Sequence, residues 1–148
     1  MEPGGRGARE VGEWTVGVAI GSVDALRRPL VRLRRVGAED DFLALVDTGF
    51  NGDLHMDEKT ALRLGFNLRA SKDRVTFADG REEAVRLGHG AIAWLGGERR
   101  VEVFVSPNHT LARAERDDEP VALLGTGLLA PHIILIDFEA ATVEIEAT

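Results

Sequence analysis

The residues in this chain best placed to do chemistry are Asp47-Thr48-Gly49. They follow an apolar run, Phe42-Leu43-Ala44-Leu45-Val46, which reads as a buried strand. A carboxylate at the end of a buried strand is costly unless hydrogen bonds hold it or a reaction uses it. Thr48 and Gly49 offer a hydroxyl and a backbone N–H that would hold it in a tight turn. The tripeptide also suits an ordinary Asp-led turn, in which Asp47 only caps backbone N–H groups. A second apolar-to-glycine segment, Val121-Ala122-Leu123-Leu124-Gly125, lies near the C-terminus.

Other chemistries find less support. His55, His89, His109 and His132 show no i, i+4 pair or other ligand spacing, so no metal site is expected. With no cysteine, disulfides and thiolate metal sites are excluded. Ser22, Ser71 and Ser106 lack a nucleophile-elbow context. Gly125-Thr126-Gly127-Leu128-Leu129-Ala130 fits a dinucleotide fingerprint in letters only. Pro131 cuts the helix that such a motif needs, and the second strand and distal acid are missing. Asp117-Asp118-Glu119 lacks the glycine and distal Glu of a Ca²⁺ loop and reads as solvated surface. The net charge of −7 argues against nucleic acid or an anionic membrane as partner, so Arg27-Arg28 and Arg32, Arg34-Arg35 read as a strand's solvent face or an interface.

The 148 residues make one domain with a core of its own. Residues 1–11 are Gly-rich and charged and read as a loose tail without a secretory h-region, leaving 12–148 as the domain. No run is long enough to span a bilayer, and a cytoplasmic protein is expected. Trp14, Val16, Val18 and Ile20 alternate as one half-buried strand, and Val31 and Leu33 alternate with Arg32 and Arg34 in a second. Leu54-His55-Met56 is a further short strand. Asp57 then caps a helix whose apolar face is Ala61, Leu62 and Leu64 and which Gly65 ends. Asp79-Gly80, between arms at Val75 and Leu87, predicts a type I′ hairpin. Gly96-Gly97 marks another, between 91–94 and 101–105. Residues 106–119 read as a surface loop, and Val143 and Ile145 alternate with Glu144 and Glu146 in a last strand. Many short strands and little helix predict an all-β barrel or sandwich.

Leu45-Val46-Asp47-Thr48-Gly49-Phe50-Asn51-Gly52, the hairpin at 75–87, Leu123-Leu124-Gly125-Thr126-Gly127-Leu128-Leu129 and Ile134-Leu135-Ile136-Asp137-Phe138 occur in an order that resembles the retropepsin-like aspartic proteases, more closely their small single-domain bacterial members. The resemblance spans about residues 14–146, and its specific parts are two short motifs. It implies a closed all-β barrel, half of a pepsin-type enzyme, with one short helix after the active-site loop and another near 126–131. It makes Asp47 the catalytic residue and has Thr48 hydrogen-bond across a dimer, with Gly49 supporting the loop. Phe50, Asn51 and Gly52 would line the substrate groove. Phe77, Ala78, Asp79 and Gly80 would form the flap tip, and Leu123, Leu124 and Gly125 would pack beneath the site.

Peptide hydrolysis at such a site needs one carboxylate as base for water and another as acid for the carbonyl oxygen. One Asp-Thr-Gly supplies half of that, so the resemblance implies a homodimer acting on a peptide or protein, with no metal or organic cofactor. Three positions depart from the viral members. Bulky Phe50 stands where they have a small residue, and would narrow the groove or pack in the core. Asn51 and Thr126 replace an Asp–Arg pair, both partners together. The rival expectation is a non-catalytic dimeric peptide-binding module that keeps the fold.

Overall fold

The computed structural model describes residues 14–15, 17–76, 79–107 and 118–147. In chain order the elements are β1 (Trp14–Thr15), β2 (Val18–Val23), β3 (Pro29–Leu33), β4 (Phe42–Val46), β5 (Leu54–Asp57), α1 (Glu58–Leu64), β6 (Asn67–Thr76), β7 (Glu82–Trp94), β8 (Gly97–Ser106), β9 (Ala122–Leu124), α2 (Thr126–Leu129), β10 (Ile133–Asp137) and β11 (Thr142–Glu146). The expected tail at 1–11, and 108–117 of the expected loop, lie outside the described residues.

All strands join one mixed sheet in the order β10-β11-β2-β3-β4-β9-β5-β8-β7-β6, with β1 on β2. The expected closed barrel is therefore corrected: among the described residues no ladder joins β10 to β6. The sheet does fold back on itself. Ala93 N–H donates to Arg34 O (2.9 Å) and Val36 N–H to Ala91 O (2.8 Å), stitching the chain after β3 to β7. These stitches lie inside the strand order, so among the described residues β10 and β6 each pair along one edge alone.

The core fills the fold with Leu33, Leu54, Met56, Ile92, Leu124, Leu128 and Ile145, all fully buried. β4 is apolar throughout because it lies between β3 and β9 and is covered on both faces. Its parallel pairing with β9 sets Val46 beside Leu124 and so brings the Asp47 turn against Gly125.

Four local expectations need correction. The strand expected at 14–20 is two, because Gly17 (φ 80°) reverses the chain and β1 folds back on β2. Asp79-Gly80 is not a two-residue I′ turn: pairing ends at Thr76↔Glu82, and only Gly80 of the two has positive φ. The two-residue loop with positive φ at both positions is Leu95-Gly96 (50° and 85°), between Trp94 and Gly97. In α1 the buried residues are Thr60, Ala61 and Leu64, while Leu62 is exposed.

The ends of α1 form as expected. Asp57 Oδ1 accepts from Thr60 N–H (2.8 Å), and Gly65 closes the helix in the left-handed region (φ 86°). Arg35 Nε donates to Leu64 O (2.6 Å), satisfying a last-turn carbonyl. Asp57→Ala should cost about 1 kcal/mol, read as a lower urea midpoint, with Asp57→Asn keeping most of it. Equal midpoints for all three proteins would show that the cap adds nothing.

Candidate active site

Asp47 directly follows β4, and its N–H donates to Leu124 O (2.9 Å), one more rung of the β4–β9 pairing. The chain then turns: Phe50 N–H donates to Asp47 O (3.2 Å), and Gly49 N–H donates to Asp47 Oδ1 (2.9 Å). Among the described residues this is the side-chain hydrogen bond to Asp47, so Gly49 and not the Thr48 hydroxyl holds the carboxylate. Asp47 is half-buried, and Thr48, Gly49 and Asn51 are exposed. No ion pair to Asp47 occurs among the described residues, so no cation neutralises it there.

The loop is clamped from below. Gly125 N–H donates to Asp53 O (3.0 Å), Thr126 N–H to Phe50 O (2.8 Å) and Gly127 N–H to Gly52 O (3.0 Å). Thr126 Oγ1 also donates to Phe50 O (3.3 Å). Three consecutive donors at the start of α2 thus fix the segment 50–53. Gly125 is required by space: a Cβ there would lie 2.3 Å from Gly52 O and 2.5 Å from Phe50 O. Leu124 is fully buried and Leu123 half-buried beneath the loop.

Phe50 does not stand in an open groove. It is 3% exposed, and its ring packs edge-on against Phe104 (5.4 Å) and beside His55 (5.6 Å). Of the two places its bulk allows, the structure takes the core. Asn51 and half-buried Gly52 stay at the surface side of the loop.

In the hairpin of β6 and β7, Asp79 Oδ1 accepts from Arg81 N–H (3.0 Å) and Oδ2 from Arg81 Nε (2.8 Å). The Arg81 N–H, followed by its guanidinium, holds this carboxyl below the usual range. Phe77 and Ala78 lie outside the described residues. Lower down, Arg86 Nη1 pairs with Glu58 Oε1 (2.6 Å) and ties β7 to α1.

Several supporting residues carry no local signal in the sequence. Asp53 Oδ2 accepts from Glu102 N–H (2.9 Å), and His55 Nε2 meets Ser106 Oγ (2.7 Å), both about fifty positions away in the chain. Their only sequence trace is a polar residue next to apolar runs. Among the described residues no group of three or more His, Asp or Glu is placed to hold a metal.

Beyond α2, Trp94 Nε1–H donates to His132 Nε2 (3.2 Å), which puts the neutral ring's proton on Nδ1. Burial, and then the charge of Arg99, push the His132 pKa below its ordinary 6.5. The folded state therefore resists protonation of this ring. Its contribution to stability is complete above about pH 6.5 and is lost as pH falls from there through the depressed folded value. Wild type should lose more urea stability between pH 7.5 and 5.5 than His132→Gln. An equal loss in both would exclude His132 as a source of acid sensitivity.

No protein-family model matches the chain, and no curated protein matches it in sequence. Among solved structures it is similar to the crystal structure of a retropepsin-like aspartic protease from Rickettsia conorii, with a TM-score of 0.61 and 19% identity over 91% of this chain and 96% of that one. At that identity the likeness shows the fold: the chain has a retropepsin-like architecture along nearly its whole length. No helix among the described residues is long and apolar enough to cross a membrane.

Proposed function

We propose that this chain is an aspartic endopeptidase that works as a homodimer, with Asp47 of each copy forming one catalytic pair. The observation that carries the reading is Asp47 itself. Its carboxylate is half-buried at the end of a buried strand, held by Gly49 N–H, in a loop fixed by three backbone donors, within the fold of an aspartic protease. A carboxylate that only capped a turn would not need so rigid a frame.

Two carboxyls about 3 Å apart cannot both ionise, so such a pair shares one proton and titrates as a unit. The ionised member takes a proton from the water between them as that water attacks the peptide carbonyl carbon. The protonated member gives its proton to the carbonyl oxygen. Collapse of the tetrahedral diol, with a proton passed to the departing nitrogen, breaks the C–N bond. Thr48, exposed in the single chain, would hydrogen-bond across to the second copy. Asn51 and Gly52 would meet an extended peptide that pairs with strand edges, and the hairpin at 75–87 would close over it.

A binding module without catalysis was the rival if Phe50 filled the groove. Its burial against Phe104 and His55 favours the catalytic reading. The test is digestion of a diverse peptide pool from acid to neutral pH, read by mass spectrometry. New termini shared by many peptides are expected. An intact pool at every pH, from a dimeric protein, would overturn the reading.

A further inference from the structure

We propose that Arg99, on β8, is a positioning residue for substrate binding: through a line of three peptide groups it aligns and polarises the Asn51 N–H, which takes hold of a substrate backbone carbonyl. The inference rests on the reading of the Asp47 loop as the place where a peptide is cut, and adds to it a residue outside that loop.

The line can be followed bond by bond. Arg99 Nη2 donates to Gly127 O (3.2 Å). That carbonyl shares a planar, conjugated peptide group with Leu128 N–H, which donates to Gly125 O (3.1 Å). The next group carries Thr126 N–H, which donates to Phe50 O (2.8 Å). The third group ends in Asn51 N–H. Asn51 is exposed, and among the described residues its N–H donates to no group of the chain. Two joints of the line are held twice, since Leu129 N–H also reaches Gly125 O (3.2 Å) and Thr126 Oγ1 also donates to Phe50 O (3.3 Å). Every donor runs the same way, so the peptide dipoles add head to tail. A cation at the carbonyl end then draws electron density along them and makes the last N–H a stronger donor.

Gly127 O belongs to a one-turn helix, and a cation on such a carbonyl is ordinary capping. What sets Arg99 apart is its charge and its choice of acceptor. No carboxylate forms an ion pair with it among the described residues. Asp53 lies against Gly127, but its Oδ2 accepts from Glu102 N–H. Arg99 is half-buried, where a charge is screened less than at the surface. A neighbouring line gives the comparison. Ala130 N–H donates to Thr126 O (2.8 Å) and Gly127 N–H to Gly52 O (3.0 Å), which leads to Asp53 N–H, but this line begins at a neutral amide. Of these two lines from α2 to the Asp47 loop, the guanidinium heads the one that ends at exposed Asn51.

Three variants test this. Arg99→Met removes the charge and keeps the stem, and Arg99→Lys keeps the charge. Arg100→Met makes the same change at the next, exposed residue of β8. By NMR, the Asn51 amide proton should move upfield in Arg99→Met and return toward wild type in Arg99→Lys. The Asp53 amide should move less, and Arg100→Met should leave both in place. On one peptide of the pool that wild type cleaves, KM should rise about fivefold in Arg99→Met with kcat within about twofold, because a weaker donor loses binding alone. A residue that only capped α2 would do the opposite, since a misfolded fraction lowers apparent kcat and leaves KM. An unmoved Asn51 amide, equal shifts at 51 and 53, or a lower kcat at unchanged KM would each overturn the proposal. Cleavage with an unaltered KM would refute the role of Arg99 and leave the protease. A shifted Asn51 amide in a protein that cleaves nothing would refute the protease, and the binding role of Arg99 with it.

Discussion

Asp47→Asn is expected to lower peptide cleavage by about a thousandfold or more, the scale on which acid–base groups act. Asparagine is nearly isosteric, and its Oδ1 can still accept from Gly49 N–H as the carboxylate does at 2.9 Å. What it lacks is the ability to take a proton from water or to share one with a second carboxylate. Stability should therefore stay within about 0.5 kcal/mol of wild type, as for a change that leaves shape and hydrogen bonds in place. Side-by-side turnover and urea unfolding check both halves. Unchanged cleavage in the variant would place the chemistry elsewhere. A large loss of stability with no activity to lose would make Asp47 a structural cap.

Gly125→Ala is expected to be among the most damaging single methyls in the described part of the molecule. The added Cβ would fall 2.3 Å from Gly52 O and 2.5 Å from both Phe50 O and Phe50 Cδ2. Two of these are backbone atoms of the clamped loop, so they cannot rotate away. Backbone angles are not the cause, since Gly125 sits at φ −105°, ψ −178°, which any residue adopts. Overpacking of this kind costs about 3 kcal/mol when the backbone must shift. The shift would fall on the segment that follows Asp47, so catalysis should drop along with stability. The urea midpoint and turnover of the variant check this. A cost below about 0.5 kcal/mol would show that the 50–53 segment is looser than its hydrogen bonds suggest.

The parts of this molecule set by local chemistry were readable in the chain. The apolar run 42–46 is β4, Asp57 and Gly65 bound α1, and a second short helix does follow Gly125. The place of Asp47 at a strand end was readable for the same reason. What escaped depends on contacts distant in sequence. Nothing near Phe50 says that Phe104 and His55 will enclose its ring. Nothing near Asp53 announces Glu102, and nothing near Trp94 announces His132. Turn chemistry misled twice. Asp79-Gly80 has the preferred letters, but Asp79 bonds to Arg81 and the loop is longer. The two-residue turn formed instead at Leu95-Gly96, because the pairing of β7 with β8 places it there, against leucine's preference for negative φ. The open sheet was not legible either, since closure depends on whether β10 meets β6, and no local signal bears on that.

The central claim, that two Asp47 carboxylates from different chains make one site, is tested most directly by mixing. Wild type and Asp47→Asn would be combined at fixed total concentration, allowed to exchange subunits, and assayed on a peptide that wild type cleaves. If each site needs both carboxylates, only the wild-type pair is active, so at equal amounts the activity should fall to about a quarter of the unmixed value. A fall to about half, in proportion to the wild-type fraction, would mean that each chain works alone and would contradict the account.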